Sequence, residues 1–227
     1  VGSEMCIRDR FYFYLNIKMF NRVQNTITGW PGGKPNASDQ KRPERAHPSK
    51  KQCIIFSPHP DDDVISMGGT FDRLVSQGHE VHLAYQTSGN IAVSDEEALK
   101  YIEVMLDLDS ELKSYLLLKK EILSKKKNQI DSISLRKLKT AIRKRESLAA
   151  SRYLGIPDNQ VHFLNLPFYE TGKIQKNNPD EKDTLITNYI ISRIKPHQIY
   201  AAGDLADPHG THRICLNIIF ESLRQLK

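Results

Sequence analysis

Four short apolar runs, separated by stretches of helical periodicity, limit what this chain can fold into. The runs are "CIIFS" (53–57), "EVHLAYQ" (80–86), "VHFLN" (161–165) and "QIYAA" (198–202). They are rich in β-branched and aromatic residues, as short buried strands are. Between the first two, the pattern predicts a helix over 64–77 with Gly78 just past its end. Ser94, three residues before Glu97, marks the start of a second helix that reaches about Asp109. Helical periodicity then continues to Leu154, where "LGIP" stops it. Further helices are expected over 181–194, ahead of Pro196, and over "THRICLNIIFESLRQL" from Thr211. Strands that alternate with helices pair in parallel through right-handed crossovers. The fold class is therefore α/β: a Rossmann-like three-layer sandwich with a mainly parallel sheet and helices on both faces.

A chain of 227 residues holds one such core and an appendage rather than two full domains. The stretch "TGWPGGKPNASDQKRPERAHPSKK" before the first strand has almost nothing apolar to bury. Residues 1–51 thus read as a disordered or extended arm and 52–227 as the folded domain. The opening "VGSEMCIRDR" (1–10) reads as a sequence artefact and carries no fold argument. Cys6, Cys53 and Cys215 are isolated from one another, which suggests neither a disulfide framework nor a zinc ribbon and fits a reducing cytoplasm. No apolar run approaches the roughly 20 residues that span a bilayer, so no membrane partner is expected.

The net charge of +6 invites a nucleic-acid reading. Its distribution argues otherwise. Residues 111–147 hold twelve Lys or Arg against four Asp or Glu, a surplus of eight, so the rest of the chain is slightly acidic. The same segment spaces Leu116, Leu117, Ile122, Leu123, Leu135, Leu138 and Ile142 as amphipathic helices do. Its cations are expected to form a solvated face, and no nucleic acid is expected as a partner.

Chemistry concentrates in two places. "PHPDDD" follows the first strand and "GDLADPHGTHR" follows the fourth, and ligands of open α/β sheets bind beyond the carboxyl ends of the strands. Three adjacent aspartates repel one another unless helix amides, solvent or a cation absorb the charge. The two segments bring His59, Asp61, Asp62 and Asp63 towards Asp204, Asp207, His209 and His212. Histidines with a carboxylate suit zinc with one open position, whereas magnesium and calcium prefer oxygen shells. His47, His79, His82, His162 and His197 have no partner pattern.

"SPHPDDDVISMGGT", "TSGN", "KRESLAASRYLGI" and "PHGTH", in that order, resemble the PIG-L/LmbE family of zinc-dependent N-acetylglucosaminyl deacetylases from about Cys53 to the end of the chain. The resemblance implies that His59, Asp62 and His212 bind Zn²⁺, with another divalent metal as the alternative. It implies Asp61 as the general base and His209 as the group that steadies the oxyanion. The implied reaction removes acetyl from an N-acetylated amino sugar, N-acetylglucosamine-like or its phosphate. Asp63 is expected to cap the helix, and Arg145 with Glu146 matches a family helix as an ion pair or a substrate contact. Thr211 stands where relatives commonly have aspartate, so any supporting role of that acid is vacant or falls to Asp204 or Asp207. Relatives continue past the helix that carries His212, which implies a C-terminally truncated domain. The arm resembles the junction of bacterial fusion proteins in which a glucosamine-6-phosphate deaminase-like domain comes first.

Two other readings compete. A metal-dependent glycosyl or nucleotidyl transferase would use "DDD" as a cation site and gives His209 and His212 no task. A basic module using 111–147 on nucleic acid or anionic partners leaves the aspartates unexplained, since acids repel phosphate.

Overall fold

The computed structural model describes Leu15 and residues 50–126, 129–173, 175–202 and 206–226. The expected arm therefore lies outside the described residues except at Leu15, Lys50 and Lys51, and so does Asp204. From Lys50 onward the order is β1 (Gln52–Ser57), α1 (Asp62–Ser76), β2 (Glu80–Tyr85), α2 (Asp95–Leu108), α3 (Lys113–Ser124), α4 (Ile133–Tyr153), β3 (Val161–Phe163), α5 (Glu181–Ile194), β4 (Gln198–Ala201) and α6 (Thr211–Gln225). Single 3₁₀ turns lie at Asn90–Ala92 and Asp158–Gln160.

The strands form one sheet in the order β3-β2-β1-β4, and every pairing is parallel. β1 is central, with Ile55 opposite Leu83 on one side and Tyr200 on the other. Cys53 to Phe56 are all fully buried, as expected of a strand covered on both faces. Alternation divides the core in two. Cys53, Ile55, Val81, Leu83 and Tyr85 pack on Phe71 and Leu74 of α1 and Leu148 of α4. Ile54, Phe56 and Ala84 pack on Ile190, Ile191 and Ile194 of α5 and Ile219 of α6. The three-layer arrangement follows directly from this period of two.

The basic segment is two helices rather than one continuous pattern. Ala98, Ile102, Leu118, Leu135 and Ile142 form its core, while Leu116, Leu117 and Leu123, expected on the apolar face, are exposed. Lys139, 4% exposed, lies among Asp95, Asp131 and Lys125. Its Nζ is 2.7 Å from Asp95 and 2.8 Å from Asp131. This charge box ties α2 to α4 through the intervening loop. Burial alone would push the Asp95 carboxyl up, but Lys125 and Lys139 hold it below the usual range.

Candidate metal centre

β1 lies between β2 and β4, so the chain leaves it to one side while β4 arrives on the other. Such a reversal opens a crevice at the carboxyl ends of the strands. Pro58 and Pro60 end the ladder there, and Ser57 fixes the turn: its hydroxyl donates to the His59 carbonyl at 2.5 Å and accepts from the Asp63 amide at 3.0 Å. Thr87, just after β2, secures the same turn by donating its amide (3.0 Å) and hydroxyl (2.8 Å) to the Pro58 carbonyl.

The three aspartates part company within one helical turn. Asp62 faces the crevice, accepts the His59 amide at 2.8 Å, and places Oδ2 3.1 Å from His59 Nδ1. Burial pushes its carboxyl up, but hydrogen bonds and charge from His59 and His212 hold it below the ordinary value. Asp61 is the residue before α1 and pairs with Arg143 of α4, Oδ2 to Nη2 at 2.7 Å. Asp63 is 1% exposed and accepts from the Tyr85 hydroxyl at 2.8 Å and from Ser57 at 3.5 Å. Burial pushes its carboxyl up, against the Tyr85 hydrogen bond. The cap expected of Asp63 is therefore a buried strut between β1, β2 and α1.

On the other side, Asp207 shapes the entry to α6. Its carboxylate accepts the amides of His209 and His212 at 3.0 Å each. Burial pushes it up, and these amides more than offset that, holding it below the usual range. Gly210, at φ 71°, sits in the left-handed region that this turn needs. His212 then projects Nε2 to 3.2 Å from His59 Nδ1 and 3.3 Å from Asp62 Oδ2.

Two imidazole nitrogens and a carboxylate oxygen thus form a nearly equilateral triangle of 3.1–3.3 Å. These are the atoms that could hold one metal ion. Zinc bonds of about 2.0–2.1 Å in tetrahedral geometry would separate donors by roughly 3.3 Å, so the donor set fits zinc in chemistry and in spacing. Tyr169 packs edge-on against His59, ring centroids 5.7 Å apart, and walls the triangle. His209 is exposed in the turn before α6, and among the described residues only its backbone amide engages the site, through Asp207.

Arg143 was not legible as a site residue. The motif drew attention to Arg145 and Glu146, whereas Arg143 binds both Asp61 and Glu146, the latter at 2.9 Å. The available signal was its position three residues before Glu146, one face of a helix. His82 and His162, expected without partners, are stacked with ring nitrogens 3.0 Å apart, and His82 lies 3.2 Å from Glu80. They lie on β2 and β3.

Residues 54–223 match the PIG-L family model, described as GlcNAc-PI de-N-acetylase. The chain belongs to the PIG-L family. It is 53% identical over 220 residues to a glucosamine-6-phosphate deaminase-like protein of Bacteroides thetaiotaomicron, which covers 93% of this chain and 33% of that protein. An N,N'-diacetylchitobiose deacetylase from Pyrococcus horikoshii shares the fold, with TM-score 0.53 and 18% identity over 84% of this chain and 60% of that one. The PIG-L chain thus spans about a third of its curated relative and three fifths of the solved one.

Proposed function

We propose that this PIG-L chain is a metal-dependent hydrolase that removes acetyl from an N-acetylated amino sugar. The observation that carries this reading is the His59–Asp62–His212 triangle, with Asp61 the residue before Asp62 in the chain. His59, Asp62 and His212 would hold the ion, for which zinc is the best match. When bound, zinc would supply a water acidified towards about pKa 7 and polarise the amide carbonyl. Asp61, oriented through one carboxylate oxygen by Arg143, takes the proton of the attacking water with the other. Water oxygen bonds to the acetyl carbon, the C–N bond breaks, and the proton held by Asp61 passes to the departing amine. His209 supports the negative charge on the carbonyl oxygen. Free acetate and an amino sugar result.

The transferase alternative is weakened by the divergence of the aspartates, since Asp61 turns to Arg143 and Asp63 to Tyr85 rather than to one cation. Ion pairing of Lys119, Lys125 and Lys139 weakens the nucleic-acid alternative. No helix among the described residues is long and apolar enough to cross a membrane. Cys53 and Cys215 are buried free thiols, which suits the reducing cytoplasm we assign. We further read the chain as part of a fusion with a deaminase-like portion, as its longer relative suggests.

The test is metal content and acetate release from N-acetylglucosamine, measured on the parent chain, Asp62→Ala and His212→Ala. About one zinc per chain, lost in both variants together with at least about a hundredfold of rate, is the expected result. Zinc binding indifferent to both substitutions would overturn the reading.

A further inference from the structure

A second concavity opens on the same rim, across β1 from the metal triangle. It is a pocket of about 200 Å³ walled by Pro60, Ser88, Lys137, Thr140, Lys144 and Asn165. Pro60 follows β1, Ser88 follows β2 and Asn165 follows β3, so three successive strand ends converge on it. Its remaining walls are α4 and Phe163 of β3. Pro60 is also the residue between His59 and Asp61. Adjacent strands lie about 4.8 Å apart, which puts pocket and triangle roughly 5–10 Å from each other, the span of one sugar ring and a substituent.

The chemistry of the pocket is one-sided. Its lining holds two ammonium groups, two hydroxyls and an amide, and no carboxylate. Among the described residues neither Lys137 nor Lys144 makes an ion pair, whereas Lys100, Lys119, Lys125, Lys139, Arg143, Arg152 and Arg224 all do. Lys144 is held over the Phe163 ring, Nζ 4.8 Å from its centroid. Two cations facing one cavity repel until an anion enters it. Asn165, at φ 46°, keeps a left-handed backbone at the mouth, a conformation that Asn tolerates better than other side-chain-bearing residues. The same helix serves both places: Lys137, Thr140 and Lys144 line the pocket, Arg143 reaches Asp61 at 2.7 Å, and Ser147 donates to the Pro60 carbonyl at 3.2 Å.

We propose that this pocket takes the phosphate of an N-acetylated amino-sugar phosphate whose acetamido group lies at the metal triangle. The proposal rests on the deacetylase reading above and gives its substrate a charge. Lysine ammonium groups are point-charge partners for phosphate, and the hydroxyls of Ser88 and Thr140 add donors.

The experiment compares kcat/KM for acetate release from N-acetylglucosamine, its 1-phosphate and its 6-phosphate. It uses the zinc-loaded full chain, the Lys137→Gln/Lys144→Gln variant, and Lys113→Gln as an exposed control outside the pocket. One phosphorylated sugar should exceed the neutral one by about tenfold or more, the excess shrinking as salt rises. The double substitution should bring the ratio close to one, and Lys113→Gln should leave it unchanged. A ratio near one in the parent, or one untouched by the double substitution, overturns the pocket assignment while neutral-sugar turnover keeps the deacetylase reading. If no sugar releases acetate, that reading fails, and calorimetry of the two sugar phosphates then decides the pocket alone. Binding lost on removing the two lysines sustains the assignment; binding absent or independent of them overturns it.

Discussion

The turn after β1 and the helical layer α2–α4 make opposite use of charge. In the turn, six residues from Pro58 to Asp63 carry three acids and a histidine, and each acid has a different fate: Arg143 for Asp61, the triangle with His59 and His212 for Asp62, Tyr85 for Asp63. In the layer, charge is spread along residues 95–153 and part of it closes on itself, as in the box of Lys125, Lys139, Asp95 and Asp131. The turn uses tertiary partners to make like charges tolerable. The layer uses opposite charges to hold helices together, and directs a few cations, Arg143 among them, back to the rim. Charge density along a sequence is therefore a better guide to chemistry than net charge.

Substitutions in the two regions should separate rate from stability. Asp61→Asn should lower kcat by about 10²- to 10⁴-fold while zinc content and the denaturation midpoint stay at parent values; equal loss of stability would make Asp61 a structural residue instead. In the layer, Lys139→Met leaves Asp95 and Asp131 short of a partner and should cost about 3–5 kcal/mol in urea unfolding, with zinc affinity in the folded protein unaltered. A midpoint within error of the parent would mean that Lys125 neutralises the box alone.

Asp207→Ala joins the two behaviours. Freed amides at the start of α6 should let His212 wander and weaken zinc binding by about tenfold to a hundredfold, read by competition with a chelator. Zinc affinity equal to the parent's would show that the turn holds without the carboxylate. His162 gives a smaller effect, with a definite sign. Burial, then the charges of His82 and Arg193, lowers its pKa from 6.5 to about 4. Between those values the unfolded chain binds the extra proton, so stability falls as pH drops through this window. His162→Leu should flatten that slope between pH 7 and 5, and an unchanged slope would place the proton elsewhere. Smallest is Ser94→Ala, which removes the side chain that accepts the Glu97 amide at 3.0 Å and should cost about 1 kcal/mol. No change in the unfolding midpoint would mean that solvent caps α2 equally well.

The α/β alternation, the strand positions and the helix over 181–194 were legible because period two and period 3.6 are local properties of a sequence. So was the crowding of acids and histidines at two strand ends. Only the tertiary structure decided which aspartate goes where. Asp61, Asp62 and Asp63 are chemically identical, and successive helical residues point about 100° apart, so the neighbours that fold places around the turn give each its role. The same holds for Arg143 and Arg145 on α4, and for Leu118 rather than Leu117 in the core. A sequence records which side chains are present and their period, but the direction each one finally faces is set by helices and strands packed from far along the chain.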